Sequence, residues 1–395
     1  MQPDIVIEGF RSAGVACGLK KNGKKDLGLI LSDTPASVAG VFTRNRVQAA
    51  PVLLDRRRIA DGVCRAVVVN SGNANCCTGT RGRRDAETVT AAVAAALQVP
   101  EAHVLAASTG VIGEPLPVER ICRAVPGLVE RCRPEGLPEL AEAIMTTDTM
   151  PKLEIVAGAI DGKPFRLAGV AKGAGMIRPD MATMLCFVLS DVRCESGLLQ
   201  KMLRSAVDRS FNRITVDGDT STNDTVLVMT SGTAAATVEH VGEHTPFQQA
   251  LDDLLMRLAR ACVKDGEGAT KLVEICVKGA GTDAHARRVA ETIANSSLVK
   301  TALFGEDANW GRILAAAGRA GVDMEPDRVD LFFDNIQMVS RGAGCGKEIE
   351  AAATAVLKKP EFTITVDLNA GPGRSAVLTC DLSLEYVRIN ADYRT

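Results

Sequence analysis

The sequence predicts an α/β protein in which helices pack in layers on sheets. Short runs typical of strands and longer amphipathic runs typical of helices are mixed along the whole chain. The chain has 395 residues, which is long for a single hydrophobic core and indicates two or three domain-sized units. No low-complexity linker and no repeat of solenoid period divides it, so the order of the strands stays open at this point.

The strand-like runs are short, apolar and rich in β-branched residues, as in RAVVVN and TVLVMTSG. They are predicted at 65–70, 104–109, 183–192, 225–232, 271–279 and 362–369.

The helical patterns are predicted at 86–98, 139–145, 246–263, 283–295 after Thr282, and from about 347 to a point before Pro360. The clearest is 246–263. There Thr245 is placed as N-cap, Pro246 as the first helical residue and Gln248 as the reciprocal capping partner.

Composition excludes several classes of function. The formal net charge is -2 and aromatic residues make up 3%, so neither a basic surface nor stacking platforms for nucleic acid are expected. No apolar run approaches the roughly 20 residues that span a bilayer, and the first residues do not resemble a signal peptide. We therefore expect a cytoplasmic protein whose partners are small molecules and other subunits, without nucleic acid or membrane.

The cysteines and histidines do not predict a metal site. There are 12 cysteines but no CxxC pair, and the four histidines never fall at ligand spacing. Free, mostly buried thiols are the better interpretation. DGDTSTNDT (217–225) resembles a calcium loop, but Thr222 and Val228 stand where such a loop needs Gly and Glu.

The most informative segment is KGAGMIRPDMATMLCF, which runs into the strand predicted from Thr183. Gly173, Gly175 and Pro179 shape the backbone tightly before that residue. On loop composition alone, a threonine that merely caps or packs is the more frequent interpretation.

Chemistry makes a second interpretation coherent. A threonine hydroxyl needs an adjacent base to act as a nucleophile. If the bond between Ala182 and Thr183 is cut, the new α-amine of Thr183 becomes that base, with an ordinary pKa of about 7.7–8.0. The same hydroxyl can make the cut by attacking the Ala182 carbonyl. Acyl transfer also needs oxyanion donors, which Thr109 and Gly110 of ASTGVIG (107–113) can supply, although by itself that segment is better interpreted as a plain strand-ending turn.

With these residues in view, the chain resembles the ornithine acetyltransferase family, the glutamate N-acetyltransferases of cyclic arginine biosynthesis. The resemblance extends over essentially the whole length and is carried by segments that include NSGNANCCTG, STGVIG, MTTDT, KGAGMI, MATML, FNRITVDGDTSTNDT, KDGEGATK, GEDANWGRI and INADYRT.

The resemblance implies a helix–sheet–sheet–helix sandwich with a smaller C-terminal α/β domain. It also implies autocleavage into an α-chain of 1–182 and a β-chain of 183–395. The residues that match the family's functional positions are the nucleophile Thr183, the oxyanion pair Thr109 and Gly110, and the substrate contacts Thr146, Lys172, Thr183, Glu267, Asn390 and Thr395. Thr147 and Thr149 are alternatives to Thr146 in the same motif.

The implied reaction passes acetyl from N2-acetylornithine to glutamate through an acetyl-enzyme. It needs no cofactor and no metal, with acetyl-CoA as a further co-substrate in a bifunctional enzyme. The family's assembly is an α2β2 heterotetramer.

Two rival functions stay open at this stage. One is an amidohydrolase or aminopeptidase that uses the same N-terminal threonine, with water as acceptor. The other is a non-catalytic binding or assembly protein with an uncut chain.

Overall fold

The computed structural model describes residues 5–178 and 184–392. They fall into two compact units. The first comprises residues 5–178, 184–212 and 219–262, and the second comprises residues 213–218 and 263–392. The predicted junction at 182/183 lies outside the described residues.

The helices and strands of the first unit follow one another from Phe10 to Lys264. In chain order they are β1 (Phe10–Val15), β2 (Leu27–Phe42), α1 (Ala50–Arg58), β3 (Val63–Asn73), α2 (Gly79–Leu97), β4 (Val104–Val111), α3 (Val118–Glu130), α4 (Leu137–Ala143), β5 (Lys152–Ile160), β6 (Lys163–Lys172), β7 (Leu185–Ser190), β8 (Arg193–Cys194), α5 (Ser196–Arg209), β9 (Thr225–Thr230), β10 (Thr237–Val238) and α6 (Pro246–Lys264).

Eight of the described strands of this unit form one sheet of order β4-β3-β2-β9-β7-β6-β5, with β1 paired to β2, and β8 and β10 form a separate two-stranded sheet. Strand β2 is long enough to join the β4-β3-β2 half of the sheet to the β9-β7-β6-β5 half. Its first part pairs with β1, and Ser37–Phe42 pair with β9. Its register against β3 shifts between Leu31 and Ala36. Pro35 lies at this irregularity, where a residue without an N–H is tolerated.

The two halves of the sheet stack face to face. Val67 of β3 and Leu105 of β4 share one buried apolar cluster with Val170 of β6 and Phe187 of β7. Because side chains alternate along a strand, the neighbours of these residues point to the outer faces. This inner layer is the main core of the unit.

Helices cover both outer faces. Val68 of β3 packs with Val93 of α2 and Ile121 of α3. On the other side, the side chains of Leu254 and Leu258 of α6 lie directly over Gly169 of β6. The first unit is therefore a helix–sheet–sheet–helix sandwich, and the predicted architecture is confirmed.

The second unit is the predicted smaller α/β domain. Its elements are β11 (Leu272–Ala280), α7 (Asp283–Ala294), α8 (Ser297–Phe304), α9 (Trp310–Gly318), β12 (Asp330–Phe333), β13 (Ile336–Ser340), β14 (Ala343–Gly344), α10 (Lys347–Leu357), β15 (Glu361–Asp367), β16 (Gly373–Cys380) and α11 (Leu384–Asp392). Its described strands form a sheet of order β14-β13-β12-β15-β11-β16. Its core packs Ile275 of β11 against Val289 and Ile293 of α7.

Several local predictions need correction. The helix predicted at 86–98 begins earlier, at Gly79. The prediction placed its start too late because the first turns are polar and carry no apolar stripe. The capping pair predicted for α6 does not form: the Thr245 hydroxyl donates to Gly242 O, and Gln248 donates to Met202 O. By contrast, α7 begins directly after Thr282 as predicted, and the Thr282 hydroxyl caps it by accepting the His285 N–H at 3.2 Å.

Candidate active site

Thr109 and Gly110, the predicted oxyanion pair, lie within β4 and not in a turn after it. Strand β4 runs parallel to β3, and Gly110 is paired with Gly72. Gly110 has a φ of +130°, and a Cβ on it would lie 2.4 Å from the carbonyl carbon of Gly72. A side chain cannot be accommodated there, so this position requires glycine.

Lys172 is the last residue of β6, and its ammonium donates to the Thr109 hydroxyl oxygen at 3.1 Å. Both residues are buried, with 6% and 9% of their surface exposed. The lysine uses a lone pair of the hydroxyl oxygen, so the hydroxyl proton of Thr109 remains available for another acceptor. The fold thus brings together two predicted site residues that are 63 positions apart.

Asp148 is a site residue that sequence analysis missed, although it lies in the TTDT motif. Its carboxylate accepts hydrogen bonds from Lys152 Nζ at 2.6 Å, from the Gly173 N–H at 2.7 Å and from the Thr146 N–H at 2.9 Å. It therefore anchors both Thr146 and the residue that follows Lys172. Thr147 is half-buried like Thr146, whereas Thr149 is exposed.

Charge balance explains the state of Asp148. Burial by itself raises the pKa of this carboxyl, but the charges of Lys172 and Lys152 and its hydrogen bonds outweigh burial and lower the pKa to about 2. The carboxylate is therefore ionised at every physiological pH and offsets the two buried ammonium groups.

Asp224 holds the residue that follows the predicted nucleophile. Its Oδ1 accepts the Met184 N–H at 2.9 Å, and the Thr225 N–H donates to Met184 O at 3.0 Å. Asp224 is 1% exposed. Burial raises the pKa of Asp224 well above its usual range, opposed by the Met184 N–H and by the charge of Lys172.

Asn223 ties the same segment to the oxyanion strand. Its amide donates to Ser108 O at 2.8 Å and to Ala74 O at 2.7 Å. Asn223 and Asp224 therefore link Met184 to the residue before Thr109. Apart from its part in the family resemblance, sequence analysis weighed this segment only as a calcium loop; the signal it missed was the NDT run directly before a buried strand.

In the second unit, two of the predicted substrate contacts, Glu267 and Asn390, form a hydrogen bond with each other. The Asn390 amide donates to Glu267 Oε2 at 2.8 Å and to Tyr386 O at 3.0 Å. Gly268, with a φ of +67°, allows this turn to lie against α11, since a Cβ there would be 2.5 Å from the Tyr386 nitrogen. The turn and α11 are thus held together within this unit.

Three predicted residues lie outside the described part of the chain: Ala182, Thr183 and Thr395.

Comparison with known proteins decides the family. The ArgJ family model matches residues 11–395. The chain is 55% identical to the arginine biosynthesis bifunctional protein ArgJ of Geobacter sulfurreducens over 391 residues, 98% of this chain and 100% of the relative. The chain belongs to the ArgJ family. The ArgJ protein of Syntrophotalea carbinolica is 50% identical over 99% of this chain and 100% of its own length.

Solved ArgJ-type structures are also similar in sequence. The ArgJ structure from Bacillus halodurans is 42% identical, covers 51% of this chain and 96% of its own, and has a TM-score of 0.48. Ornithine acetyltransferase complexed with ornithine, from Mycobacterium tuberculosis, is 37% identical over 46% of this chain and 95% of its own, with a TM-score of 0.40.

As an ArgJ family member the chain is an enzyme, an acetyltransferase of arginine biosynthesis. None of the helices in residues 5–178 and 184–392 is long and apolar enough to cross a membrane.

Proposed function

We propose that this enzyme transfers the acetyl group of N2-acetylornithine to glutamate through an acetyl ester of Thr183. The observation that carries the proposal is the buried hydrogen bond between Lys172 and Thr109, which leaves the Thr109 hydroxyl able to donate to a developing oxyanion. Membership of the ArgJ family supports the same reaction.

The first half-reaction forms the acetyl-enzyme. The Thr183 hydroxyl attacks the acetyl carbonyl and its proton passes to the α-amine of Thr183. The hydroxyl of Thr109 and the N–H of Gly110 stabilise the oxyanion. The amide C–N bond then breaks, the proton passes to the leaving amine, and ornithine departs.

The second half-reaction restores the enzyme. The α-amine of glutamate attacks the ester, and N-acetylglutamate leaves as the threonine hydroxyl regains its proton. Because one amide replaces another, no cofactor is required. In this proposal Lys172 attracts the α-carboxylate, Glu267 pairs with the side-chain ammonium of ornithine, and Thr146, Asn390 and Thr395 complete the substrate contacts.

The proposal includes autocleavage between Ala182 and Thr183, giving chains of 1–182 and 183–395 that assemble as α2β2. Acetyl-CoA is proposed as a second acetyl donor, since the relatives are called bifunctional.

Intact-mass measurement of purified wild type and Thr183→Ala tests the cleavage and the nucleophile together. We expect two fragments from wild type, and an unprocessed, inactive chain from the variant. Thr80→Ala, at an exposed threonine in the first turn of α2, is the matched control and should process normally. Active wild-type enzyme with one continuous chain would overturn the proposal.

Acceptor dependence separates transfer from hydrolysis. We expect ornithine release from N2-acetylornithine to be sustained only when glutamate is present. Equal rates with and without glutamate would identify a hydrolase instead.

A further inference from the structure

Residues 16–25 connect β1 to β2 and fold around the carboxylate of Asp26. Asp26 Oδ1 accepts the Cys17 N–H at 2.6 Å, and Oδ2 accepts those of Leu19 and Lys20 at 2.6 and 2.9 Å. The aspartate is 0% exposed. Its carboxylate is therefore occupied by backbone donors, and they fix the path of the loop as far as Lys20.

The loop places Lys20 beside the candidate site. Lys20 Cγ lies 3.5 Å from the position that a Cβ on Gly72 would take. Gly72 in turn pairs with Gly110 of the predicted oxyanion strand. The side chain of Lys20 thus passes next to Gly72, which is paired with Gly110 of the predicted oxyanion pair.

The ammonium of Lys20 has hydrogen-bond donors that no described residue accepts. It donates one hydrogen bond, to Lys25 O at 2.7 Å. An ammonium has three donors, and within residues 5–178 and 184–392 the other two have no protein partner. No carboxylate of the described chain forms an ion pair with it, although the side chain is partly buried.

The electrostatics agree with this position. Burial, the largest cause, lowers the pKa of Lys20 to about 8; Asp26 and Asp148 oppose that shift, and Lys24 and Lys172 add to it. Asp148 and Lys172 belong to the candidate site, so Lys20 lies within electrostatic range of it.

The reaction itself creates a need for such a group. Donor and acceptor must occupy the enzyme in turn, yet the side chain of ornithine is a cation and that of glutamate is an anion. A carboxylate such as Glu267, proposed to pair with ornithine, gives the acceptor no counter-ion. A cation with spare donors supplies what the glutamate side chain lacks.

We propose that Lys20 is a specificity-determining residue that binds the side-chain carboxylate of the acceptor glutamate. The proposal rests on the proposed acetyl transfer to glutamate. Lys20 takes part in neither the nucleophilic attack nor oxyanion binding.

The test compares Lys20→Met with Lys21→Met, a neighbouring exposed lysine in the same loop. Loss of a charge-assisted hydrogen bond should raise the KM for glutamate at least about tenfold in Lys20→Met, while the KM for N2-acetylornithine changes by less than about threefold. Lys21→Met should match wild type in both. In Lys20→Met the KM for glutamine as acceptor should rise far less than the KM for glutamate, because the side chain of glutamine is neutral.

A pH series gives an independent readout. In wild type the KM for glutamate should rise as the pH passes about 8, because Lys20 loses its proton there. Lys20→Arg should keep glutamate binding and lose that rise, since arginine stays charged.

An unchanged KM for glutamate in Lys20→Met would overturn the proposal. So would equal losses for both substrates together with a lower melting temperature, which would assign Lys20 a structural role. Ornithine release by wild type that ignores glutamate would instead reject the proposed function itself, so the two failures are distinguishable.

Discussion

At the scale of single residues, the candidate site depends on a buried carboxylate whose charge offsets that of buried ammonium groups. The side chains of Lys152 and Asp148 are both 0% exposed and form an ion pair of 2.6 Å. Such a pair is costly to desolvate but far more costly to break, because one charge is then left without its partner. The pair also holds Thr146 and Gly173 through Asp148, so its integrity bears on the geometry next to Lys172.

Lys152→Met should therefore destabilise the protein by about 3–5 kcal/mol at pH 7, measured by urea unfolding. The double variant Asp148→Asn/Lys152→Met should not recover that loss, because the buried ammonium of Lys172 then lacks the carboxylate that offsets it. Lys163→Met, at an exposed lysine of β6, is the control. A loss of less than about 1 kcal/mol would show that the pair contributes no more than a surface ion pair.

The acid response follows from the same carboxylate. The pKa of Asp148 is about 2 in the folded chain, below its ordinary 3.8. A lowered pKa means that the stabilisation is fully present above about pH 4 and is lost as the pH falls through 2. We expect the stability difference between wild type and Asp148→Asn to shrink between pH 4 and pH 2. A constant difference across that window would contradict this assignment.

At the scale of elements, the sandwich depends on close approach between β6 and α6. A Cβ on Gly169 would lie 2.8 Å from Leu258 Cδ1 and 3.2 Å from Leu254 Cδ2. The helix layer can lie this near to the sheet only because the strand carries no side chain there.

Gly169→Ala should lower stability by about 1–3 kcal/mol through overpacking. Gly127→Ala, within α3, is the matched comparison, since no heavy atom lies within 4 Å of its Cβ position. That change should raise stability by about 0.5–1 kcal/mol. Thermal melting of both variants checks the pair, and equal shifts would contradict the packing argument.

At the scale of the whole molecule, the 12 cysteines are all free, as the sequence predicted. They are not all buried, because Cys77 and Cys345 are exposed. Burial raises the pKa of Cys64 to about 12 and that of Cys186 well above its ordinary value. Thiol reactivity should therefore differ sharply along the chain.

Brief alkylation of the native enzyme, read by peptide mass spectrometry, should label Cys77 and Cys345 first. Cys64 and Cys186 should react only after unfolding. Replacing the two exposed cysteines by serine should abolish the fast phase. Labelling of Cys186 at the rate of Cys77 in native enzyme would show that the β7 layer is accessible to solvent.

The chain end supplies a further prediction, carried by sequence alone. If Thr395 contacts substrate, deleting residues 392–395 should weaken substrate binding more than it lowers the melting temperature. An N-terminal tag, which leaves that end unchanged, is the control. Kinetics identical to those of the full chain would remove Thr395 from the site.

Much of the fold follows from local pattern. The mixed strand and helix periods predicted an α/β protein, and most predicted elements lie within a few residues of the observed ones. Local pattern failed where long-range pairing decides structure: β2 crosses Pro35 because β3 accommodates the irregularity, and Gln248 turns to Met202 instead of capping α6.

By itself, the sequence determined the class of fold, the family through its motifs, and the candidate residues Thr109, Lys172 and Glu267. Only tertiary structure decided their partners. The contact between Lys172 and Thr109, the hydrogen bond from Gly173 to Asp148, and the hydrogen bond from Met184 to Asp224 each join different parts of the chain. Motif and periodicity report what neighbouring residues prefer, whereas hydrogen bonds and burial between distant segments exist only once the sheets have stacked and excluded water.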